Sequence, residues 1–102
     1  MINLTLLADA SVKQSLADAL RALPDVERFI FTNVEEHSHQ LEHDPLLSER
    51  DKVVGYVPRV RVDILLEEPA LDVVRNALGE PGCGLAGRCR YWVTPVGDIS
   101  EI

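Results

Sequence analysis

A chain of 102 residues is long enough for one hydrophobic core and too short for two. Its formal net charge of −7 opposes the counterion-release binding that Lys- and Arg-rich surfaces find on nucleic acid, so no nucleic-acid partner is expected. No apolar run approaches the roughly 20 residues that span a bilayer, and Met1-Ile2-Asn3-Leu4 lacks the basic head of a secretory signal; the expectation is a cytoplasmic chain with no membrane insertion.

Ile2, Leu4 and Leu6 alternate with Asn3 and Thr5, the period of a strand with one covered face. Asp9 and Ser11 offer caps for a helix whose stripe is Val12, Leu16, Ala19, Leu20 and Leu23, and Pro24 closes it. Val26 to Val34, rich in β-branched and aromatic residues, predicts a second strand. Residues 35–52 show no period; they hold all three histidines, six acids and Pro45, and predict a long exposed loop of the kind that carries function in small domains. Val53 to Leu66 is the clearest strand. Val60, Val62, Ile64 and Leu66 share one face, and Arg59, Arg61 and Asp63 share the other, while Pro58 implies an edge or a bulge. Pro69 opens a second helix with the stripe Leu71, Val74, Ala77 and Leu78, and Gly79 ends it. A glycine-rich loop over residues 79–90 then feeds a last strand from Arg90 to Val96.

The order β-α-β-β-α-β predicts a single α+β domain over residues 1–102, the ferredoxin-like split βαβ arrangement: a four-stranded antiparallel sheet with two helices on one face. The strands also carry apolar residues at both parities: Leu6 and Leu7, Phe29 and Ile30, Leu65 and Leu66, Trp92 and Val93. An apolar face left bare in the monomer calls for a partner, and a homo-oligomer is expected. Tyr91 and Trp92, being consecutive, point to opposite faces; packing is the expected role of both, one under the helices and the other in an interface between copies or a cleft.

Three groups of residues carry chemistry. Gly82, Gly84 and Gly87 give backbone room beside Arg88 and Arg90, and successive N–H groups with cationic side chains can cradle one small anion, such as phosphate, carboxylate or bicarbonate. The plainer alternative is solvated charge or an ion pair, with Arg90 near Asp63. His37, His39 and His43 stand among Glu35, Glu36, Glu42 and Asp44; imidazoles suit Zn, Cu and Ni, against the alternative of a hydrated acidic loop. Cys83 and Cys89 are five residues apart in the gap between them, which is not a zinc-knuckle spacing; inert thiols, soft-metal ligands and a redox bridge all remain open. Ser11, Ser15, Ser38 and Ser48 have no nucleophile context, and no enzyme is expected.

Two segments resemble the PII signal-transduction superfamily, which includes the CutA-like proteins. Tyr56-Val57-Pro58-Arg59-Val60-Arg61-Val62-Asp63-Ile64-Leu65-Leu66 is similar to the PII run of aromatic, aliphatic and Pro followed by alternating basic and aliphatic residues toward an acid. Gly87-Arg88-Cys89-Arg90-Tyr91-Trp92-Val93-Thr94-Pro95-Val96 is similar to the stretch Gly-x-Gly-Lys, two apolar residues, Val-x-Pro-Val. The ending resembles that of short proteobacterial PII-like proteins. The resemblance implies a homotrimer with its sheets facing inward and effector sites in the clefts between subunits. It also implies that the loop over 35–52 contacts a target protein, a membrane transporter among them. It gives phosphate-holding roles to Gly87 and Arg90, makes Asp63 the partner of that base, matches Arg59 to the basic residue after the proline, and matches Gln40 to a glutamine that places a metal and an organic acid. Gly84, Gly87, Arg88, Arg90, Arg59, Asp63 and Gln40 are thus the expected effector residues. An adenine nucleotide or a bicarbonate-like anion is the expected effector, and an adenine nucleotide and a divalent metal are the two cofactors left open. The sequence departs from the pattern at Cys89, where PII has glycine, at Arg88, where it has an acid, and in lacking the basic tail that grips phosphates. The CutA side of the resemblance supports the other reading, a divalent-metal-binding protein linked to metal tolerance or efflux through His37, His39 and His43.

Overall fold

The computed structural model describes residues 1–39 and 55–102. Its elements in chain order are β1 (Ile2–Asp9), α1 (Lys13–Arg21), β2 (Phe29–Glu36), β3 (Val57–Leu66), α2 (Leu71–Leu78) and β4 (Cys89–Pro95). The strands form one antiparallel sheet in the order β2-β3-β1-β4, compatible with the ferredoxin-like arrangement expected. No helix among the described residues is long and apolar enough to cross a membrane.

The register follows from the alternation. Ile2 pairs with Leu66, Leu4 with Ile64, Leu6 with Val62 and Ala8 with Val60. All eight are at most 7% exposed, so a slip of one residue would turn the whole aliphatic set out of the core. Both helices lie over this face: Leu16 and Leu20 of α1 and Val74 and Leu78 of α2 join the same core cluster. Each such side chain contributes about 1.5–3 kcal/mol when buried.

Several boundaries differ from the expected ones for local reasons. Asp9 extends β1 and accepts a hydrogen bond from the Ser11 amide at 3.2 Å, and one 3-10 turn (Ala10–Val12) precedes α1. Val26 is a buried turn residue, its amide donating to Leu23 at 3.1 Å, rather than the start of β2. Pro58 lies one residue past the last β1–β3 pair, Asp9 with Arg59, so β1 asks no ladder bond of it. Gly79 ends α2 with an ordinary φ of −78°, not the left-handed turn that favours glycine.

Candidate functional site

The approach to β4 decides what its residues can do. After a 3-10 turn (Pro81–Cys83), the chain turns at Gly84 (φ 70°) and Gly87 (φ 73°), a backbone region that costs non-glycine residues steric strain. Between them Leu85, only 6% exposed, anchors the loop in the core. The Arg88 amide donates to Leu85 at 2.9 Å and the Asp9 amide to Arg88 at 2.9 Å, which starts the β1–β4 ladder with Cys89 opposite Ala8. Alternation then sends Cys89, Tyr91 and Val93 to the helix side and Arg90, Trp92 and Thr94 to the open side.

On the helix side is a pocket of about 270 Å³ between α2, β1, β4 and the glycine-rich loop. Leu4, Leu6, Leu78 and Leu85 line its apolar part. Arg75 brings a cation to the lining; its Nη1 donates to the Tyr91 hydroxyl at 3.1 Å and its Nη2 donates to Asp72. The guanidinium carbon stands 5.8 Å from the Tyr91 ring centre. Cys89 also lines the pocket, and burial pushes its thiol pKa up. Cys83 donates its S–H to the Ala77 carbonyl at 3.3 Å. Both cysteines are free thiols, with no bridge between them.

The open side holds two ionic groups. Asp63 accepts from Arg61 (Nε at 3.1 Å), Thr5 (3.0 Å) and Asn3 (3.2 Å). Burial alone would raise its pKa; the donors from Arg61, Asn3 and Thr5 outweigh that and bring it below 3.8. The Arg61 guanidinium is 5.9 Å from the Trp92 ring centre, a cation–π contact. The second group is Glu36, at the end of β2. Arg90 Nη2 contacts both its carboxylate oxygens, Oε2 at 2.7 Å, and Arg59 Nε lies 3.6 Å from Oε2.

The expected site residues are therefore only partly brought together. Arg59 and Arg90 do meet, around Glu36. Arg90 does not pair with Asp63: Asp63 sits in the row of Thr5 and Trp92, and its lone pairs are taken by its own strand neighbour Arg61 and by β1. Gly87 and the Arg90 side chain face apart, because the pocket that Gly87 lines is on the helix side and strand alternation points Arg90 to the open side. Tyr91 and Trp92 are on opposite faces as expected: Tyr91 is on the helix side but 47% exposed, and Trp92, 42% exposed, is on the open face; the helices cover β1 and β3 more fully than β4. His37 lies 3.3 Å from Glu35 and its ring is 5.5 Å from that of Tyr56. Among the described residues no three His, Cys, Asp or Glu side chains form a metal-holding group. Gln40 and His43 lie outside the described residues.

Arg75 and Glu36 are the participants that pattern reading missed. The Asp72–Arg75 spacing of three on a helix face is a visible signal for Arg75. The sequence pattern puts Glu36 in the loop over 35–52, and only its place at the end of β2 makes it the meeting point of two arginines.

The class of protein follows from comparison over the whole length. Residues 1–102 match the family model "Protein of unknown function (DUF3240)", and the chain belongs to that family. Its fold is similar to that of a solved DUF3240 family protein from Shewanella baltica OS155, with a TM-score of 0.75 at 21% identity over 99% of this chain and 94% of that one. No curated protein matches the chain.

Proposed function

We propose that this chain is a PII-like regulatory protein rather than an enzyme. In this reading it is a homotrimer that binds a small anionic effector, an adenine nucleotide or a bicarbonate-like anion, at clefts between subunits. It signals to a target protein, such as a membrane transporter, through the segment over 35–52. The observation that carries this reading is the Glu36 ion cluster. Arg90 follows the glycine-rich loop, Arg59 follows Pro58 at the start of β3, and Glu36 ends the strand that leads into the 35–52 segment. An anion that takes the two guanidiniums displaces the Glu36 carboxylate and changes how the segment leaves the sheet. The open face also carries apolar side chains, Ile30 at 66% and Leu65 at 42% exposed, which supports its burial against further copies.

Calorimetric titration with ATP, ADP, AMP, bicarbonate, Zn and Cu tests the reading on wild type, Arg90→Ala and a His37/His39/His43→Ala variant. Anion binding that disappears in Arg90→Ala and survives in the histidine variant is expected. Metal binding that disappears only in the histidine variant, with no anion bound by any form, would favour the metal-handling alternative. A stable monomer in sedimentation would remove the trimeric clefts and the reading with them.

A further inference from the structure

The helix-side pocket stands apart from the Glu36 cluster: the two lie on opposite faces of β4, one lined by Cys89 and Tyr91, the other reached by Arg90. We propose that this pocket binds a small organic acid with an unbranched apolar body, its carboxylate on Arg75 and the Tyr91 hydroxyl and its hydrocarbon against Leu78, Leu85 and Cys89.

Three observations carry the assignment. The first is shape: about 270 Å³ compares with about 30 Å³ per molecule of liquid water, room for a chain of several carbons. The second is the division of the walls. Leu4, Leu6, Leu78 and Leu85 bring only apolar side chains to the lining, while Arg75 and Tyr91 bring a guanidinium and a phenol 3.1 Å apart. That is the pattern of small-molecule sites, an apolar cavity with a few polar groups that fix orientation. The third is the state of the cation. Arg75 has five N–H donors, of which the structure engages one with Tyr91 and one with Asp72. Asp72 is 74% exposed in its side chain, and such a solvated pair holds its arginine weakly. A carboxylate inside the pocket meets the same guanidinium next to apolar walls, where the planar fork can accept it through two bonds. The neutral, half-buried Cys89 thiol completes the apolar wall instead of repelling an anion.

This site does not rest on the PII-like reading, and its test is separable from that of the Glu36 cluster. The probe is octanoate, with octanol as the uncharged match and hexanoate as the shorter homologue. The readouts are calorimetry and the rate of Cys89 alkylation by iodoacetamide, resolved from Cys83 by peptide mass spectrometry. Octanoate is expected to slow Cys89 alkylation at least ~5-fold and to bind up to ~15-fold more tightly than hexanoate, from about fourfold per buried methylene. Arg75→Gln should weaken octanoate at least ~10-fold and octanol by less than ~3-fold, the loss of one charge-assisted contact. Ala86→Trp, at an exposed loop position that lines the pocket, should block both, and Arg90→Ala should change neither. Unaltered alkylation of Cys89 at saturating octanoate overturns the assignment. So does octanoate binding that Arg75→Gln leaves intact. If Arg90→Ala alone abolishes octanoate binding, the acid belongs to the open face; the pocket is then overturned while the anion site of the proposed function stands.

Discussion

The two faces of this sheet are built from the same strands and follow different rules. Under the helices, β1 and β3 present Ile2, Leu4, Leu6, Val60, Val62, Ile64 and Leu66, an aliphatic set that differs in shape but hardly in chemistry. On the open side the same strands present Asn3, Thr5, Arg59, Arg61 and Asp63, each of which meets a particular partner, although the buried Asn3 Oδ1 accepts no hydrogen bond. The covered face needs volume and register, and many apolar residues supply both. The open face needs identities, because a charge without its partner is costly where a methyl group is not. Strand β4 belongs to neither regime: its helix-side Cys89 and Tyr91 border a pocket and its open-side Arg90 reaches across to β2.

The largest effect should come from breaking the covered face. Ile64→Ala, at a side chain with no exposure, should cost about 2–5 kcal/mol, a large part of the 5–15 kcal/mol typical of a domain. Leu65→Ala, the next residue and 42% exposed, should cost less than about 1 kcal/mol in the isolated chain. Urea titration of the pair measures the contrast. Equal losses would mean that the open face is as buried as the helix side, which is what assembly through that face requires. The next effect is local. Arg90→Ala should alter global stability by less than about 1 kcal/mol, since the Arg90 side chain is 68% exposed. It also leaves Glu36 with Arg59 as its remaining described partner, so amide exchange at Val34 to Glu36 should quicken while that of β1 does not. Hydrogen-exchange mass spectrometry resolves the two strands, and equal protection in both forms would remove Glu36 as a link between β4 and the end of β2.

What could be read from the sequence divides along the same line. Period-two alternation in Ile2 to Leu6 and Val60 to Leu66, and the stripes Leu16–Leu20 and Val74–Leu78, state directly which side chains meet, because burial imposes the period. The element order, the sheet and the covered face were therefore legible. The ionic partners were not. Arg90 and Glu36 are far apart in sequence and sit on strands at the two edges of the sheet, and long side chains reach across rows that no period encodes. The separation of Gly87 from Arg90 is hidden for a related reason: residues adjacent in sequence diverge in space once the strand alternates. The pocket needed Arg75 from a helix and Tyr91 from a strand, a meeting visible only after the helix is docked.

Asp63 gives a smaller and pH-dependent test of the open face. Its folded pKa lies below the ordinary value because the donors from Arg61, Asn3 and Thr5 outweigh the burial that would raise it. A carboxyl with a depressed folded pKa adds stability above its unfolded pKa, about 3.9 for aspartate, and loses it as pH falls through the folded value. Urea midpoints for wild type should therefore drop below about pH 4. Asp63→Asn should lower the midpoint near neutrality, on the order of 1 kcal/mol given how exposed Arg61 is, and flatten that acid limb. An unchanged acid limb in the variant would place the pH dependence in other carboxylates.

The smallest expected effect lies where the covered face gives way, at Cys89. The thiolate is the reacting form, and burial raises the pKa of this thiol. Alkylation of Cys89 should therefore be slower than that of a free thiol near neutral pH. Its rate should keep rising with pH beyond the ordinary midpoint of about 8.5. Tyr91 lines the same pocket one position away on the same face, so Tyr91→Ala should admit water, return the midpoint toward the ordinary value and speed alkylation a few-fold near neutrality. The direction is diagnostic. If Tyr91→Ala leaves the alkylation profile unchanged, the dryness at Cys89 comes from Leu85 and β1 rather than from the strand, and the helix-side regime extends further toward the sheet edge than the exposure of Tyr91 indicates.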